Sequence, residues 1–494
     1  MSPTVRTLVL VVAAIGFLFD TYELLMFPVI GRSALTELMH QPADSAAVRE
    51  WTGWMLWIAA LCGGVFGLAG GWMIDRFGRR TIMVASILAY SLSPVAAAFS
   101  TELWQFVLFR CTTFVGVCVE LVAAVTWLSE LFADKRTRER AIGWTLACAS
   151  LGGILVTEVF NQIVAAARTP GTLPAIPFPA GHDPANVAWR YTLLTGLVPG
   201  LAILLLLPFV PESRVWLERK RAGTLRRPGF GELFSPGLIR TTIVTTVLSA
   251  CGYAAAFGAL QLTPPQIVPG LPALAGVREE VGPKVRAAEA KVQAAEAGSA
   301  EAAAARTELG AARRPLAQAI QETGGNIQRW QELGGLTGRI LFALLLAVVA
   351  SRVLIRLFVT PGIVLFPVTY LLLAREDYNL FAVGIFLCGL VTVAQFSYLS
   401  EYLPRVFPVH LRGTGGSFAT NVGGRMVGTM FALVNTEFLA PLFAGDNPTK
   451  VATAAAVIGG TVFAVALGAT FLLPAPADET ADPVTAGTPA SRPT

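Results

Sequence analysis

Apolar residues along this chain come in long runs bounded by charged residues, prolines and glycines. Twelve runs reach or approach the roughly 20 residues that a membrane-crossing helix requires. They cover 7 to 30, 51 to 74, 81 to 99, 103 to 131, 141 to 166, 189 to 210, 239 to 262, 336 to 351, 357 to 373, 380 to 400, 413 to 438 and 450 to 473. The pattern predicts an all-α membrane protein with twelve transmembrane helices. The first run follows Arg6 as the apolar part of a signal peptide would. Asp20 and Glu23 interrupt it, however, and it continues to Ile30, so it reads as a retained helix. The eighth and ninth runs are the shortest, and Arg352 and Arg356 crowd the turn between them.

Composition agrees. Hydrophobic residues make up 54% of the chain and charged residues 14%, against about 25% charged in a soluble domain. Mean hydropathy is +0.61, and a soluble chain could not hide that much apolar surface. The cysteines (Cys62, Cys111, Cys118, Cys148, Cys251, Cys388) all fall inside apolar runs, without a CxxC pair or a histidine at ligand spacing, and read as small core residues. His40, His182 and His410 lie in predicted loops. No metal or cofactor is expected, and no nucleophile–base constellation marks an enzyme.

Twenty Lys and Arg residues of the short loops and termini fall on the side of Arg6, Arg76 and Arg136, and six on the side of Arg32, Arg49, Arg168, Arg190, Arg375 and Lys450. The positive-inside rule then puts both termini in the cytoplasm of a multi-pass protein of the cytoplasmic (inner) membrane. This bias accounts for the net charge of +5 without nucleic acid. One outer loop stands apart. Residues 263–335 hold an Ala-, Glu- and Arg-rich stretch of strong helix formers. It predicts a helical hairpin outside the membrane, broken at Gly298 or Pro315, and reads as a solvated spacer rather than a partner-binding module. Val285, Ala288, Val292 and Ala295 keep a heptad spacing too short to specify a coiled coil. The tail 474–494, rich in Pro, Ala and Thr, is disordered by composition.

The chain repeats itself. Trp127-Leu128-Ser129-Glu130 ends the fourth run and Tyr398-Leu399-Ser400-Glu401 ends the tenth, at an offset of 271 residues. At the same offset Gly152-Gly153 maps onto Gly423-Gly424, and Arg140 and Arg412 precede the fifth and eleventh runs. Two pseudo-symmetric six-helix bundles follow: an N-terminal half over 1–210, a linker over 211–238, and a C-terminal half over 239–473 that carries the insertion 263–335. Duplicated halves of this kind place a binding site at their interface and expose it alternately to either side.

After the second run stands Gly71-Trp-Met-Ile-Asp75-Arg76-Phe-Gly78-Arg79-Arg80, which resembles the loop signature of the major facilitator superfamily, G-x-L-A-D-R-x-G-R-R, at six of its eight specified positions. Pro211-Glu212-Ser213-Arg214-Val-Trp216-Leu217 looks like the PESPRWL signature of the sugar porter branch. The resemblance implies the major facilitator fold, and for Asp75, Arg76, Arg79, Arg80, Glu130, Arg140, Glu212, Arg214, Glu401 and Arg412 a cytoplasmic ion-pair network that latches the halves. Independently of the name, Asp75 can meet the positive N-terminal end of the eleventh helix.

Inside the membrane an ionisable residue is costly and marks function by default. Asp20 lies about 20 Å into the first helix and Arg110 about 10 Å into the fourth from the opposite side, so the two are expected to pair. An arginine beside a carboxylate, removed and restored, is the switch that a proton-coupled carrier needs. Gly16-Phe-Leu-Phe-Asp20-Thr21 also resembles the F-G-Y-D-T segment of sugar porters, which implies that role for Asp20 and Arg110. Glu23, one turn on, is expected at the outer vestibule. Glu120, Gln261, Gln395, Asn421 and Arg425 are candidate substrate contacts, and Arg339 is placed at the outer end of the eighth helix. Gly63, Gly67 and Gly71 read as a packing face.

The paired glutamines of sugar porters are missing from the fifth and seventh helices, and two midmembrane arginines favour an anion such as a carboxylate. The expectation is a secondary active transporter of a small organic metabolite, working by alternating access with proton symport. An uncoupled facilitator and a transporter-like sensor with a partner-binding hairpin are the alternatives. The partners expected are a small-molecule substrate, protons and the lipid bilayer, with the chain acting as a monomer.

Overall fold

The computed structural model describes residues 3–474 except 44, 132–134, 168, 170, 180–185, 207–211, 213, 223–229, 295–299, 347–348 and 409–410. Its N-terminal half holds α1 (Pro3–Met39), α2 (Ala46–Phe77), α3 (Arg79–Ala98), α4 (Leu103–Leu131), α5 (Lys135–Ala167), α6 (Ala188–Leu194) and α7 (Leu197–Leu206). A short α8 (Arg214–Ala222) leads on to α9 (Ile239–Gly258), α10 (Ala275–Ala294), α11 (Ala300–Leu346), α12 (Ser351–Val368), α13 (Ala374–Glu376) and α14 (Tyr378–Val406). Then come α15 (Arg412–Phe418), α16 (Met430–Leu433) and α17 (Asn447–Phe471). Two π-helical segments, Ala419–Gly428 and Val434–Leu439, flank α16.

Among the described residues, eight helices are individually long and apolar enough to cross a membrane: α1, α2, α3, α4, α9, α12, α14 and α17, several of them running on into adjoining turns. The remaining crossings are α5, the broken pair α6–α7, the C-terminal part of α11, and the passage from α15 through α16. Together they make twelve crossings in two six-helix bundles. Crossing helices satisfy their backbone internally, so Pro28 in α1 and Pro361 and Pro367 in α12 are accommodated by neighbouring helices.

Glycines at equivalent places build the two bundles alike. A Cβ on Gly152 of α5 would collide with the Leu18 carbonyl of α1, and one on Gly423 would collide with the Thr246 carbonyl of α9. The residues matched by the 271-residue offset therefore do the same work, seating the fifth helix of each bundle on its first. The backbone approach follows the small-residue rule of membrane helix packing. Gly63 likewise meets Phe114 and Cys118 of α4, while Gly67 touches Asn421 of the other half.

The structure shifts three sequence boundaries. The first helix runs to Met39 instead of Ile30, and the buried pair Glu37–Arg190, 2.7 Å apart, ties its end to α6. The eighth crossing does not begin at 336: α11 is one continuous helix from Ala300, and Gly334 and Gly338 pack on the Phe386 and Leu390 carbonyls of α14. Pro315 sits inside α11 without breaking it. α10 ends at Ala294 and α11 begins at Ala300; Ala295 and Gly298, between them, lie outside the described residues. Lys291–Glu308 and Arg313–Glu289 join the two helices of this hairpin at exposed positions, where such pairs add little.

The halves meet unequally at their two ends. At the end that carries the insertion, one apolar cluster combines Tyr22, Leu35, Phe106 and Trp189 with Leu260, Ile267 and Ile327 of the C-terminal half. Hydrogen bonds cross there: Arg32 to the Pro265 carbonyl at 3.1 Å, Gln266 to Thr52 at 2.7 Å, and Arg49 to the Thr436 carbonyl at 3.0 Å and Asn447 at 2.7 Å. At the end of the Gly71–Arg80 loop, the N-terminal cluster of Val9, Phe17, Ile82, Tyr90 and Trp127 contains N-terminal residues alone among those described. The insertion end is closed.

Gly152→Ala and Gly423→Ala are expected to destabilise the protein by about 1–3 kcal/mol each through overpacking. Gly468→Ala, at a glycine with nothing within 4 Å, serves as the control. Thermal unfolding of the purified protein in detergent checks this, with the first two variants melting lower and the control unchanged.

Candidate functional site

Asp20 and Glu23, one turn apart on α1, find different surroundings. Asp20 is 7% exposed and faces the carboxyl group of Glu120 on α4. Gly16, one turn before Asp20, makes room for Glu120, whose Oε1 would lie 2.5 Å from a Cβ there. Asp20 Oδ1 and both Glu120 oxygens are buried with no hydrogen-bond partner. Two carboxylates offer acceptors alone, so a single proton between them converts the contact into a donor–acceptor pair.

Across the halves, Arg425 is a cation whose charge reaches Asp20, with no direct ion pair between them. It projects from the π-helical segment Ala419–Gly428, a distortion of the kind that recurs at functional sites because it re-aims side chains. Gly424 and Gly428 let that segment close on Tyr253 and Ala250 of α9. Arg425 donates to Asn421 Oδ1 at 2.8 Å, turns towards the Tyr253 hydroxyl, and keeps its Nε buried without an acceptor. Tyr253 stacks on Phe257 with ring centroids 5.9 Å apart and meets Phe396 edge-on at 5.0 Å. Gln395 lies beside Gly252 in the same wall, and its Oε1 is buried without a donor, as is that of Gln261. An unpaired guanidinium edge, amide oxygens and aromatic walls can hold a small planar anion carrying hydrogen-bond donors.

Arg110 does not pair with Asp20 as expected. It donates from both terminal nitrogens to the Glu23 carbonyl at 3.4 Å and lies between the Phe27 and Phe114 rings, 5.7 and 5.3 Å from their centroids. Glu23 does not face an outer vestibule: it is fully buried in the N-terminal bundle, against Gly196 and Pro94. Counting helical rise found the right helix pair and missed by one turn, the distance between Asp20 and Glu23.

The described residues of the expected cytoplasmic network make contacts local to the start of α3. Glu212 accepts the backbone N–H groups of Arg79 and Arg80, each at 3.2 Å, and so caps the start of α3, where a negative charge is favoured. Gly78 has φ +100°, which suits glycine, and its bare Cα admits the Glu212 carboxylate and the Trp216 ring. Arg79 also donates to the Ile74 carbonyl at 3.2 Å, and Arg76 lies over the Phe77 ring. The side chains of Gly71, Asp75, Glu130, Arg140, Arg214, Glu401 and Arg412 lie outside the described residues.

Reading the eighth crossing from 336 missed Glu332. Its Oε1 accepts from Gln328 at 2.7 Å and Gln331 at 3.0 Å, and its carboxylate packs on Gly153 of α5. Arg339, on the same helix, balances it and sits deep beside the Gly338–Leu390 contact instead of at the helix end. The polar series Gln328, Gln331, Glu332, Arg339 has helical spacing, which was the available signal.

A family model described as Major Facilitator Superfamily matches residues 9–278. The chain belongs to the major facilitator superfamily. Its curated relatives include the 4-hydroxybenzoate transporter PcaK of Pseudomonas putida, 32% identical over 168 residues, which are 34% of this chain and 33% of that one. The niacin transporter NiaP of Acinetobacter baylyi is 26% identical over 206 residues, 42% of this chain and 40% of that one. The matched stretch thus spans well under two thirds of either relative. The inward-open structure of the xylose transporter XylE from E. coli aligns with TM-score 0.60 and 16% identity over 95% of this chain and 97% of that one. The D-xylose-proton symporter aligns with TM-score 0.64, 16% identity and coverage of 95% and 98%. These likenesses show the fold. As a major facilitator protein the chain is a multi-pass membrane protein.

The pairing of Arg110 with Glu23 has a direct test. Arg110→Met removes a charge that attracts the buried Glu23 carboxylate, which makes no hydrogen bond of its own, and frees the Glu23 carbonyl; the expected loss is about 1–3 kcal/mol. Adding Glu23→Gln should recover part of that loss, while adding Asp20→Asn should not. Unfolding midpoints of the single and double variants read the coupling.

Proposed function

We propose that this chain is a proton-coupled symporter that moves a small organic carboxylate across the cytoplasmic membrane by alternating access. The observation that carries this reading is the Asp20–Glu120 carboxyl pair of one half facing Arg425 of the other. Among the described residues, Arg425 is the cation that attracts Asp20. A carboxylate substrate that takes up the Arg425 charge leaves the two acids facing each other, where one shared proton satisfies both. Substrate and proton then cross together, because neither leaves a buried charge unmatched.

The loop end is assigned to the cytoplasm by its lysines and arginines, which puts the closed insertion end on the outer side. Tyr253, Phe396 and Gln395 suit an aromatic or other planar acid with a hydroxyl or N–H donor, and the relatives named for 4-hydroxybenzoate and niacin support that class. The remaining domain assignments, a linker over 211–238 and a tail over 474–494, belong to the same proposal.

Uptake into proteoliposomes tests it, with carboxylates beginning with 4-hydroxybenzoate and niacin selected by ligand-induced thermal shift at two pH values. Asp20→Asn is expected to abolish uphill uptake and spare exchange, and Arg425→Gln to abolish the thermal shift. Gradient-driven uptake that Asp20→Asn leaves unchanged overturns the coupling scheme.

A further inference from the structure

The insertion is more than a spacer. Its descending helix α11 enters the membrane without interruption, and one stripe of it lies on the N-terminal half. Gln321 donates to Ser33 Oγ at 2.6 Å and to Asn186 Oδ1 at 3.3 Å. One turn on, Gly325 gives way to the Asn161 side chain of α5; one turn further, Arg329 is ion-paired with Glu158; then Glu332 packs on Gly153. Positions 321, 325, 329 and 332 follow the i, i+4, i+8, i+11 spacing of a single helix face. All four touch residues of the other half.

We propose that this face of α11 is a strap that holds the insertion end shut, and that the Arg329–Glu158 pair is its release point. The strap changes character along its length. Glu332 and Gln328 are enclosed between helices, whereas Arg329 and Glu158 keep 40% and 43% of their side-chain surface. They border a cavity of about 230 Å³ together with Asn161, Gln162, Glu322 and Asn326. Water can reach this pair and take over its hydrogen bonds, so the strap parts from the wet end first. Both amide atoms of Asn161 are buried without a partner beside it, so the contact keeps polar capacity that the closed state does not use. Since α11 is continuous, the hairpin tip swings with the eighth crossing whenever the strap opens. The inference rests on two halves that part in turn, and on neither the substrate nor the coupling ion of the function proposed above.

Labelling of the full-length protein in membranes decides it. Thr52→Cys places a thiol where Gln266 now bridges the halves, and a membrane-impermeant maleimide is applied from the insertion side, with the parent chain as background. Relative to Thr52→Cys alone, Arg329→Glu is expected to raise the labelling rate about two- to five-fold, the scale that an exposed ion pair supplies. The charge swap Glu158→Arg with Arg329→Glu is expected to bring it back. Arg329→Gln is read in place of Arg329→Glu if the latter does not reach the membrane. A rate unmoved by removing the Arg329 charge, or one that the swap leaves raised, overturns the strap. Labelling needs no substrate and no proton gradient, so a wrong coupling scheme does not obscure the result.

Discussion

Hydrocarbon offers no hydrogen bonds, so each polar group this chain takes into the bilayer needs its partner inside the protein. The constraint decides most of what the structure does with its charges. Arg110 is covered by two aromatic rings and a backbone carbonyl beside Glu23, an arrangement closed within one bundle. Asp20 and Glu120 are not closed in that way. Their missing donor has to come from outside the bundle, either from Arg425 across the interface or from a proton. The Glu23 carboxylate, buried in the same half, is likewise left without a hydrogen bond.

Glycine supplies the matching mechanical constraint. Gly152 and Gly423 let the fifth and eleventh helices lie against the first and seventh at backbone distance, so each bundle is rigid along that seam. Rigidity within bundles confines the freedom of the molecule to the interface between them. There the closed end holds a shared apolar cluster, while at the other end the described N-terminal core closes on itself and Glu212 caps α3 locally. The α6–α7 break fits the same scheme, since Gly196 at that break gives Glu23 its space.

The sequence made the architecture legible because apolar length and a 271-residue repeat are properties of a whole helix or half. It also brought Arg425, Asn421 and Gln395 into view, since an ionisable or amide residue in an apolar run stands out wherever its side chain points. What it concealed were properties of one face. Average hydropathy placed the start of the eighth crossing at 336, because Gln328, Gln331 and Glu332 lower the mean; they face α5 and α14 rather than lipid. Axial rise alone could not tell Asp20 from Glu23, which share a helix and differ by one turn. The π-helical turns around Arg425 have no period of their own in the sequence, and Gly423-Gly424 marked the repeat there without showing that the arginine would be re-aimed.

Pseudo-symmetry also explains why the insertion occurs where it does. The second and eighth crossings are equivalent, and each leans on the far bundle: α2 through Gly64 and Gly67 on Met426 and Asn421, α11 through Glu332 on Gly153. Beyond these contacts both sides add polar bonds at the closed end, α2 through Arg49 and Thr52 and α11 through Gln321 and Arg329, and α11 continues from there into the hairpin. A carrier cycles only while its two states stay close in free energy, since every 1.4 kcal/mol or so of bias changes their ratio about tenfold. A dry apolar extension of the same length would trap the closed state. Hydrated polar contacts such as Arg329–Glu158, each worth about 0.2–1 kcal/mol, bias the balance without fixing it, and that is the chemistry found along the outer part of the stripe.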